Sequence, residues 1–322
     1  VSKLARKEVH QVQVSGSARR PLVGDGEAFV QVYGGSRSLH NPLTFSIVGV
    51  DRRSSGVSGR ATIPARLFRI DQRFTIGIDA QYLNDARKNW ANCNAVPAPT
   101  ANCPTIGVER GVLTLDQREM VNSMGHYVRD ELTVGPVRAT LGARLDNTTF
   151  EVTDAFLTDG RNDSGKRRMR ALSPMAGVAV KLTPAHAVYA NASSAFETPT
   201  TTELGNQANG NAGFNPDLEP QYSTTYEVGA KGLALSRVEY DLSLYDTYVR
   251  DELIPFDIGN GRTAFRNAGR TRRRGVEIGG RSDVGPLTFA GSYTYSLFRF
   301  VEFLSGTTQM AGHTIPGIPE RQ

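Results

Sequence analysis

The sequence predicts an all-β protein, an antiparallel transmembrane β-barrel of which these 322 residues supply roughly a dozen strands. Three observations predict this fold. Apolar and polar residues alternate along many segments, the connections between segments alternate between short and long, and no apolar run approaches the roughly 18 residues that a membrane-spanning helix needs. The 33 glycines, 14 phenylalanines and 11 tyrosines also fit twisted strands joined by turns.

The alternation is clearest in segments where every second residue is apolar. In Arg73–Tyr82, the apolar Phe74 and Ile76 share one face, and the polar Thr75 and Asp79 share the other. The same pattern predicts strands over Pro136–Asp146, Glu239–Tyr245 and Leu287–Ser296. Weaker signals predict further strands over Glu27–Tyr33, Leu43–Val50, Gln117–Leu132, Ser173–Leu182, Ala187–Ser194, Thr224–Gly232, Arg262–Asn267 and Arg274–Arg281.

The connections sort by length. Short turns are predicted at Thr133–Gly135, Thr183–Ala185, Leu233–Ser236 and Asp283–Pro286. Long polar loops are predicted at Leu83–Asp116, Glu151–Lys166, Phe196–Gln221 and Val249–Gly261. Short turns on one rim and long loops on the other are typical of bacterial outer-membrane barrels, whose long loops lie outside the cell.

The polar strand faces carry charges such as Asp79, Arg138, Arg144 and Glu239. A soluble barrel would fill its interior with apolar side chains, so the apolar face is predicted to touch lipid and the polar face to line a wet or plugged lumen. Two other classes stay open at this point. A soluble or surface all-β binding module would gather the apolar residues in a dry interior, and an outer-membrane enzyme would need a nucleophile and a base at one rim.

The cysteines and the charge balance bound the function further. Cys93 and Cys103 lie close together in a segment rich in Pro and Asn, which predicts a local disulfide in an oxidising compartment. The net charge of +5 indicates an anionic partner, with nucleic acid, lipopolysaccharide phosphates and an anionic chelate as candidates. The histidines show no metal-ligand spacing and no nucleophile motif is present, so we expect neither an enzyme, a metal site nor a cofactor.

Four blocks, in this order along the chain, carry a family resemblance: Ser173–Leu204, Asn215–Gly232, Phe265–Gly279 and Ala311–Pro319. The matching residues are Phe196, Glu197, Pro199 and Thr200, then Asn215, Pro216, Leu218, Pro220, Tyr226, Glu227, Gly229 and Lys231, and then Asn267, Ala268, Gly269, Gly275 and Glu277. Together they resemble the barrel of TonB-dependent outer-membrane receptors. Upstream, His126–Leu132 and Leu141–Val152 resemble two further strands of that family, whereas Gln221 stands where many members have glutamate.

The resemblance implies a large plugged barrel of about 22 strands in the bacterial outer membrane. It implies that residues 1–322 lie within the barrel domain, with the plug domain, its TonB-engaging segment and the C-terminal strands outside this chain. It also implies a monomer that contacts membrane lipid and lipopolysaccharide and imports a metal chelate, foremost a ferric siderophore. The block at Asn267–Arg273 is similar to the branch that includes the pyrroloquinoline quinone receptor, so a small anionic cofactor is the alternative cargo.

Candidate ligand contacts are Trp90 beside the cysteine loop, Arg87, and the basic cluster with Arg167, Arg168 and Arg170. Arginine suits the recognition of carboxylate and phosphate, so these residues are candidates to draw an anionic chelate into the lumen. The alternative for the basic cluster, which we favour, is a clamp on lipopolysaccharide phosphates at the rim or plain solvated charge. Nucleic acid is not expected, because interleaved aromatic residues are missing from the basic clusters.

Overall fold

A computed structural model of the chain describes residues 5–44, 46–67, 69–94, 96–205, 207, 213–257, 263–267, 269–305 and 308–322. The described residues form one antiparallel sheet of twelve strands and two small hairpins. The prediction of an all-β antiparallel fold with roughly a dozen strands is therefore confirmed. The described α-helix, α1 (Thr201–Leu204), has four residues, and no described helix is long and apolar enough to cross a membrane.

The sheet strands follow one another in space as they do in sequence. They are β1 (Glu8–Pro21), β2 (Glu27–Pro42), β3 (Ser46–Leu67), β4 (Ile70–Asn92), β5 (Arg110–Val134), β6 (Val137–Asp154), β7 (Gly165–Thr183), β8 (His186–Glu197), β9 (Gln221–Ala234), β10 (Val238–Arg250), β13 (Arg270–Val284) and β14 (Leu287–Glu302). The hairpins are β11 (Leu253–Asp257) with β12 (Thr263–Asn267), and β15 (Leu304–Ser305) with β16 (Thr308–Gln309). β10 pairs with β13 past the first hairpin, and β1 and β14 are edges that do not pair with each other, so the sheet is not closed.

Several strands are longer than the sequence predicted. The predicted loop Leu83–Asp116 is wrong at both ends, because β4 runs to Asn92 and β5 begins at Arg110. At the end of β4 the prediction failed because Asn84–Asn89 is mostly polar on both faces, which removes the apolar alternation. β1 was not predicted either, although Val12 and Val14 alternate there with Gln13 and Ser15.

The other predicted loops are confirmed with shorter bounds or with structure inside them. β6 extends to Asp154, and a single 3₁₀ turn (Leu157–Asp159) lies before β7. The loop between β8 and β9 contains α1, and the predicted loop Val249–Gly261 contains β11. Residues of two predicted strands and of the family motif lie outside the described residues. They are Phe45 of the predicted strand Leu43–Val50, Arg262 of the predicted strand Arg262–Asn267, and Ala268 of the family motif.

The predicted sorting of connections is confirmed. All four predicted short turns lie at one end of the strands, which we call the short-turn rim. Gly135 (φ 55°) and Gly285 (φ 60°) sit there in left-handed backbone conformations that favour glycine. The connections 93–109, 155–164 and 198–220 and the β11–β12 hairpin lie at the opposite end, the long-loop rim; the exception there is the short connection between Pro42 and Ser46.

The two faces of the sheet have the polarity of a membrane barrel. On one face, the outer face, Phe74 is 39% exposed, Leu141 57% and Phe289 59%. On the other, the inner face, Asp85 and Glu119 are each only 2% exposed. Apolar side chains are thus exposed and charged ones enclosed, the reverse of a soluble protein. This finding contradicts the soluble binding-module alternative, which required a dry apolar interior.

Tyrosines lie over glycines on the inner face. A Cβ atom at Gly77 would stand 2.2 Å from the ring of Tyr127, and one at Gly229 would stand 2.4 Å from the ring of Tyr189. Tyr33 over Gly56 and Tyr245 over Gly275 repeat the arrangement. At Gly229 and Gly275 a cross-strand aromatic ring therefore lies against the strand and shields the glycine backbone.

The edge strand β14 is partly covered by the segment that follows it. Thr294 and Gln322 exchange two backbone hydrogen bonds of 3.0 Å, and Ile315 N donates to Phe298 O at 2.9 Å. Isolated antiparallel bridges join Tyr295 to Arg321 and Arg299 to Thr314. Residues 313–322 therefore run beside β14 as a further, irregular strand would.

Candidate functional site: the inner face below the long-loop rim

The candidate site lies on the inner face, where β3, β4 and β5 approach the long-loop rim. Arg52 donates two hydrogen bonds to Asp85, from Nε at 2.8 Å and from Nη2 at 2.6 Å. Arg87 donates from Nη1 to Glu119 Oε1 at 3.3 Å, and Gln117 Nε2 donates to the same oxygen at 2.6 Å. The alternation of the strands fixes this arrangement, because these residues share one face and stand opposite one another in register.

A third arginine joins these two pairs without a carboxylate of its own. Arg37 stands directly opposite Arg52 in the β2–β3 register, and among the described residues it makes no ion pair. The Nε atoms of Arg37 and Arg87 are both buried without a hydrogen-bond partner. Three guanidinium groups therefore face two carboxylates, which leaves one positive charge in excess.

These side chains line a cavity of about 160 Å³, which Thr201 and Thr202 of α1 border from the opposite side. Whole-ligand pockets run from about 300 to 1,000 Å³, so this cavity accommodates one arm of a larger molecule. Its excess of positive charge suits an anionic arm. Among the residues that the structure describes, no three His, Cys, Asp or Glu side chains are grouped to hold a metal ion.

The helix α1 contacts this wall although it lies in a loop between two strands that are distant from the wall in the order of the sheet. It belongs to the loop between β8 and β9, yet Thr202 Oγ1 accepts a hydrogen bond from Arg87 Nη1 at 3.4 Å. A capping box holds the helix start, with Glu203 N donating to Thr200 Oγ1 and Thr200 N to Glu203 Oε2. The contact shows that the sheet curls far enough for a loop after β8 to touch β4.

The same loop is held by a small hydrophobic cluster on the inner face. Leu204, Phe214 and Leu218 of the loop pack against residues of β6 and β7. The strand members of the cluster are Phe150, Val152 and Met169. The loop is therefore an anchored part of the inner wall.

The predicted ligand residues divide between the two faces. Arg87 lies in the candidate site, and Arg167 is also on the inner face, where it donates to Pro216 O and to Glu219. Trp90, Arg168 and Arg170 lie on the outer face instead. The Trp90 ring lies close over Gly49, and the Arg110 guanidinium stacks 4.4 Å from the centre of that ring.

The predicted disulfide is confirmed, with Cys93 and Cys103 joined and both side chains buried. Glu109 fastens the end of this loop to the rim through Arg6 at 2.7 Å and His40 at 3.3 Å. Partial burial raises the pKa of Glu109, but the hydrogen bonds and charges of Arg6 and His40 outweigh that effect and leave the pKa below its usual value. Glu109 therefore stays ionised and holds the loop at neutral pH.

Comparison with known proteins identifies the fold family. A sequence model described as TonB dependent receptor-like, β-barrel, matches residues 15–322. The chain belongs to this family. Its members are transporters and receptors of the bacterial outer membrane, so the predicted family and location are confirmed.

Individual relatives agree with this assignment. The Ferrioxamine B receptor of Salmonella typhimurium is 27% identical over 240 residues, which cover 72% of this chain and 31% of that receptor. The siderophore receptor PiuA from Acinetobacter baumannii superposes with a TM-score of 0.76 at 13% identity, covering 99% of this chain and 52% of PiuA. The ferric citrate transporter FecA gives 0.74 at 16% identity, with 98% and 46% covered. This chain therefore spans about half the length of these solved receptors, with which it shares the fold.

The family-motif residues mostly fasten the β8–β9 loop. Asn267 Nδ2 donates to Glu219 O at 2.7 Å, and Glu219 N donates back to Asn267 Oδ1 at 2.8 Å. Asn215 N donates to Leu204 O at 2.7 Å, and Pro199 is fully buried. A Cβ at Gly269 (φ 58°) would overlap Glu302 O.

The remaining motif residues have separate places. Glu227 accepts a hydrogen bond from Tyr189 at 2.6 Å on the inner face, and Tyr226 is 54% exposed on the outer face. Glu277 stands in register with Ser243 and Thr294. Three further motif residues remain. Phe196 stands opposite Tyr222, and Pro216 and Pro220 precede and follow Glu219 in the β8–β9 loop.

Gln221, which departs from the family pattern, joins two neighbours. Its Nε2 donates to Glu197 at 2.6 Å, and its Oε1 accepts from Leu253 N at 3.0 Å. A glutamate at this position would offer no N–H to Glu197 and would place two carboxylates together. The glutamine therefore suits its local partner.

Arg37, Arg52 and Glu119 line the cavity on the inner face of this TonB-dependent receptor chain, but the sequence analysis did not single them out. Arg52 lies beyond the end of the predicted strand Leu43–Val50, inside β3. Arg52 shares the inner face with Val48 and Val50, and these apolar neighbours gave no sign of an ion-paired wall. The position of Arg37 opposite Arg52 depends on the pairing of β2 with β3, which the sequence alone does not show.

Proposed function

We propose that this chain forms a large part of the barrel of an outer-membrane TonB-dependent transporter that imports a ferric siderophore. The observation that carries the proposal is the arginine-rich cavity on the inner face beneath the anchored β8–β9 loop. Family membership and the likeness to the Ferrioxamine B receptor support it. The rest of the full-length receptor supplies the plug and the segment that engages TonB.

The residues of the cavity have distinct roles in this proposal. Arg52 and Asp85 form a fixed pair that shapes the wall, because the bidentate contact satisfies both groups. Arg37, which makes no ion pair among the described residues, offers its charge to an anionic arm of the chelate, and Arg87 lies beside it in the cavity. Arg87 also holds Thr202, so a ligand that competes for Arg87 changes the contact between the loop and the wall.

Release and transport do not require a covalent step by this chain. The long loops admit the chelate, the inner wall orients it, and TonB acting on the plug opens the path. Energy comes from the inner membrane through TonB. A monomer in contact with membrane lipid and lipopolysaccharide completes the proposal, with no role for nucleic acid.

The alternative cargo that we propose is pyrroloquinoline quinone. Pyrroloquinoline quinone is a small anionic molecule, and the receptor for it carries a block similar to Asn267–Arg273. In that block Arg273 lies on the inner face and donates to Glu252 at 2.6 Å. A competition experiment tests this alternative, because excess quinone displaces a bound ferric siderophore only if the two molecules bind at one site.

The test is chelate binding by the full-length receptor after Arg37→Gln. We expect the dissociation constant for ferric citrate, an anionic chelate, to rise about tenfold or more, because a charge-assisted hydrogen bond contributes about 1.5–3 kcal/mol. Arg37→Lys is the matched control, and it should retain much of the affinity because the charge remains. Binding measured by intrinsic fluorescence quenching that is the same in wild type and Arg37→Gln would remove this cavity from the proposal.

A further inference from the structure

We infer that Arg168 and Arg170 form a binding site on the outer face for the phosphates of an outer-leaflet lipid. The occupant is a phosphorylated glycolipid, whose acyl chains lie along the apolar part of β7 and whose phosphates meet the two guanidinium groups. The inference rests on the membrane placement within the proposed function. It does not depend on which cargo the receptor carries.

The sequence of β7 places these arginines at the end of an apolar stripe. On the outer face the strand presents, from the short-turn rim upward, Leu182, Val180, Val178, Ala176, Pro174 and Leu172. The next outer-face residues along the strand are Arg170, Arg168 and Lys166, and all three are exposed. The change from apolar to basic takes place between Leu172 and Arg170, with no mixed zone.

The length of the apolar stripe matches a bilayer core. From Leu182 to Leu172 a strand that rises about 3.3 Å per residue, tilted by about 40°, climbs about 25 Å, the height of the lipid-facing band of such barrels. Leu182 is 61% exposed and Leu172 62%, so both ends of the stripe are open to lipid. Arg170 and Arg168 therefore lie at the level of the lipid headgroups beside the long-loop rim.

The two arginines are not neutralised by the protein. Arg168 Nε donates to Asn147 Oδ1 at 2.5 Å, and Arg170 Nε reaches the same amide oxygen at 3.4 Å. Neither forms an ion pair within the part of the chain that the structure describes, whereas Lys166 is paired with Glu151 at 2.7 Å. Asn147 orients both guanidinium groups side by side but adds no negative charge. Their outward N–H groups suit a phosphate, which accepts two parallel hydrogen bonds from arginine.

A second arginine pair on the outer face shows the contrasting case. Arg272 and Arg274 of β13 stand above the apolar Val276 and Ile278, much as Arg170 stands above Leu172. Both reach Asp246, at 2.5 Å from Arg272 Nη2 and 3.5 Å from Arg274 Nε. The protein itself supplies an anion there, so charge complementarity points to β7 as the lipid site.

The test is retention of lipid by the full-length receptor purified from outer membranes in detergent. Native mass spectrometry would count the phosphorylated glycolipid molecules bound to wild type and to the double variant Arg168→Gln/Arg170→Gln. We expect the double variant to bind this lipid about tenfold or more weakly on titration, since two charge-assisted contacts are lost. Arg272→Gln, the matched control on β13, should bind it as wild type does.

A second titration uses the same glycolipid after enzymatic removal of its phosphates. We expect wild type to bind it as weakly as the double variant binds the intact lipid. Equal binding of the intact and dephosphorylated lipids by wild type would overturn the inference. So would displacement of the intact lipid by millimolar inorganic phosphate, because that would show a plain anion site with no part for the acyl chains.

The folded state and the cargo are followed in the same samples. On a gel run without heating, the double variant should migrate as the wild type does, which would show that its barrel is folded. If wild type fails to bind any ferric chelate while the double variant still loses lipid, the lipid site stands and the transport proposal falls. Lost chelate binding with full lipid retention in the double variant would instead return Arg168 and Arg170 to the cargo path and overturn this inference.

Discussion

Single glycines on the inner face determine whether charged side chains can cross from strand to strand. Arg144 of β6 reaches over β5 to Asp79 of β4, from Nη1 at 2.5 Å, and also contacts Asp146 from Nε at 2.9 Å. The path is open because residue 125 of β5 has no side chain. A Cβ atom at Gly125 would stand 2.0 Å from Arg144 Nη2.

Gly125→Val should therefore destabilise the barrel. The added side chain forces Arg144 away from both carboxylates, and overpacking of this kind costs about 1–3 kcal/mol. The measurement is the urea midpoint of the full-length receptor refolded into vesicles, followed by gel mobility without heating. Gly291→Val is the matched control, because a Cβ there meets nothing within 4 Å. Equal midpoints for the two variants would show that the Arg144 bridge has no effect on stability.

Some contacts of single residues could be predicted from the sequence, and others could not. The disulfide was predictable, because Cys93 and Cys103 are near neighbours in the chain. The ion pair of Arg52 with Asp85 was not, because it depends on the register between β3 and β4. The direction in which Arg167 and Arg168 point follows from alternation alone, but only once the strand is known to begin at Gly165.

At the scale of elements, the β8–β9 loop is held by its own apolar residues. Leu204, at the end of α1, is fully buried in the cluster with Phe150, Val152 and Met169. Arg87 adds one hydrogen bond at the start of the helix, which is weak beside the apolar contacts. The hydrophobic cluster therefore determines the position of α1 over the cavity.

Leu204→Ala should release α1 from the inner wall. Removing a buried leucine side chain costs about 2–5 kcal/mol, and here the loss falls on the loop because the strands keep their ladder hydrogen bonds. Hydrogen exchange of the full-length receptor should accelerate in residues 199–205 and stay slow in β6 and β7. Leu157→Ala is the control, since Leu157 is 56% exposed in another long-loop-rim connection. Unchanged exchange in 199–205 would show that other contacts hold the helix.

The strands themselves were predictable in part. Lipid-facing stretches such as Arg73–Tyr82 alternate clearly, because one face must be apolar to meet acyl chains. Beyond the bilayer this requirement ends, and Asn84 to Asn89 is mostly polar on both faces although it is regular strand. One face there meets water and the other forms the ion-paired wall, so sequence periodicity carried no signal for it.

At the scale of the whole molecule, the fold depends on which solvent each face meets. Many exposed apolar side chains on the outer face would promote aggregation in water but are stable against lipid. On the inner face, Arg52 is paired across strands with Asp85, and Arg144 with Asp79. The same sheet would therefore be poorly soluble in water, and the membrane is part of what makes its sequence foldable.

Two equally exposed leucines test this dependence on the surrounding solvent. Leu141 on the outer face of β6 is 57% exposed, and Leu157 in the connection between β6 and β7 is 56% exposed. Leu141 lies about 13 Å above the adjacent turn at about 3.3 Å per residue and a tilt of about 40°, near the middle of the bilayer. An arginine at the bilayer midplane costs about 2–4 kcal/mol in such barrels, whereas an arginine in a solvated loop costs almost nothing. Leu141→Arg should therefore lower the urea midpoint of the full-length receptor in vesicles, and Leu157→Arg should leave it unchanged. Matching midpoints for both variants would mean that water covers both leucines, and the outer face would then have no lipid to meet.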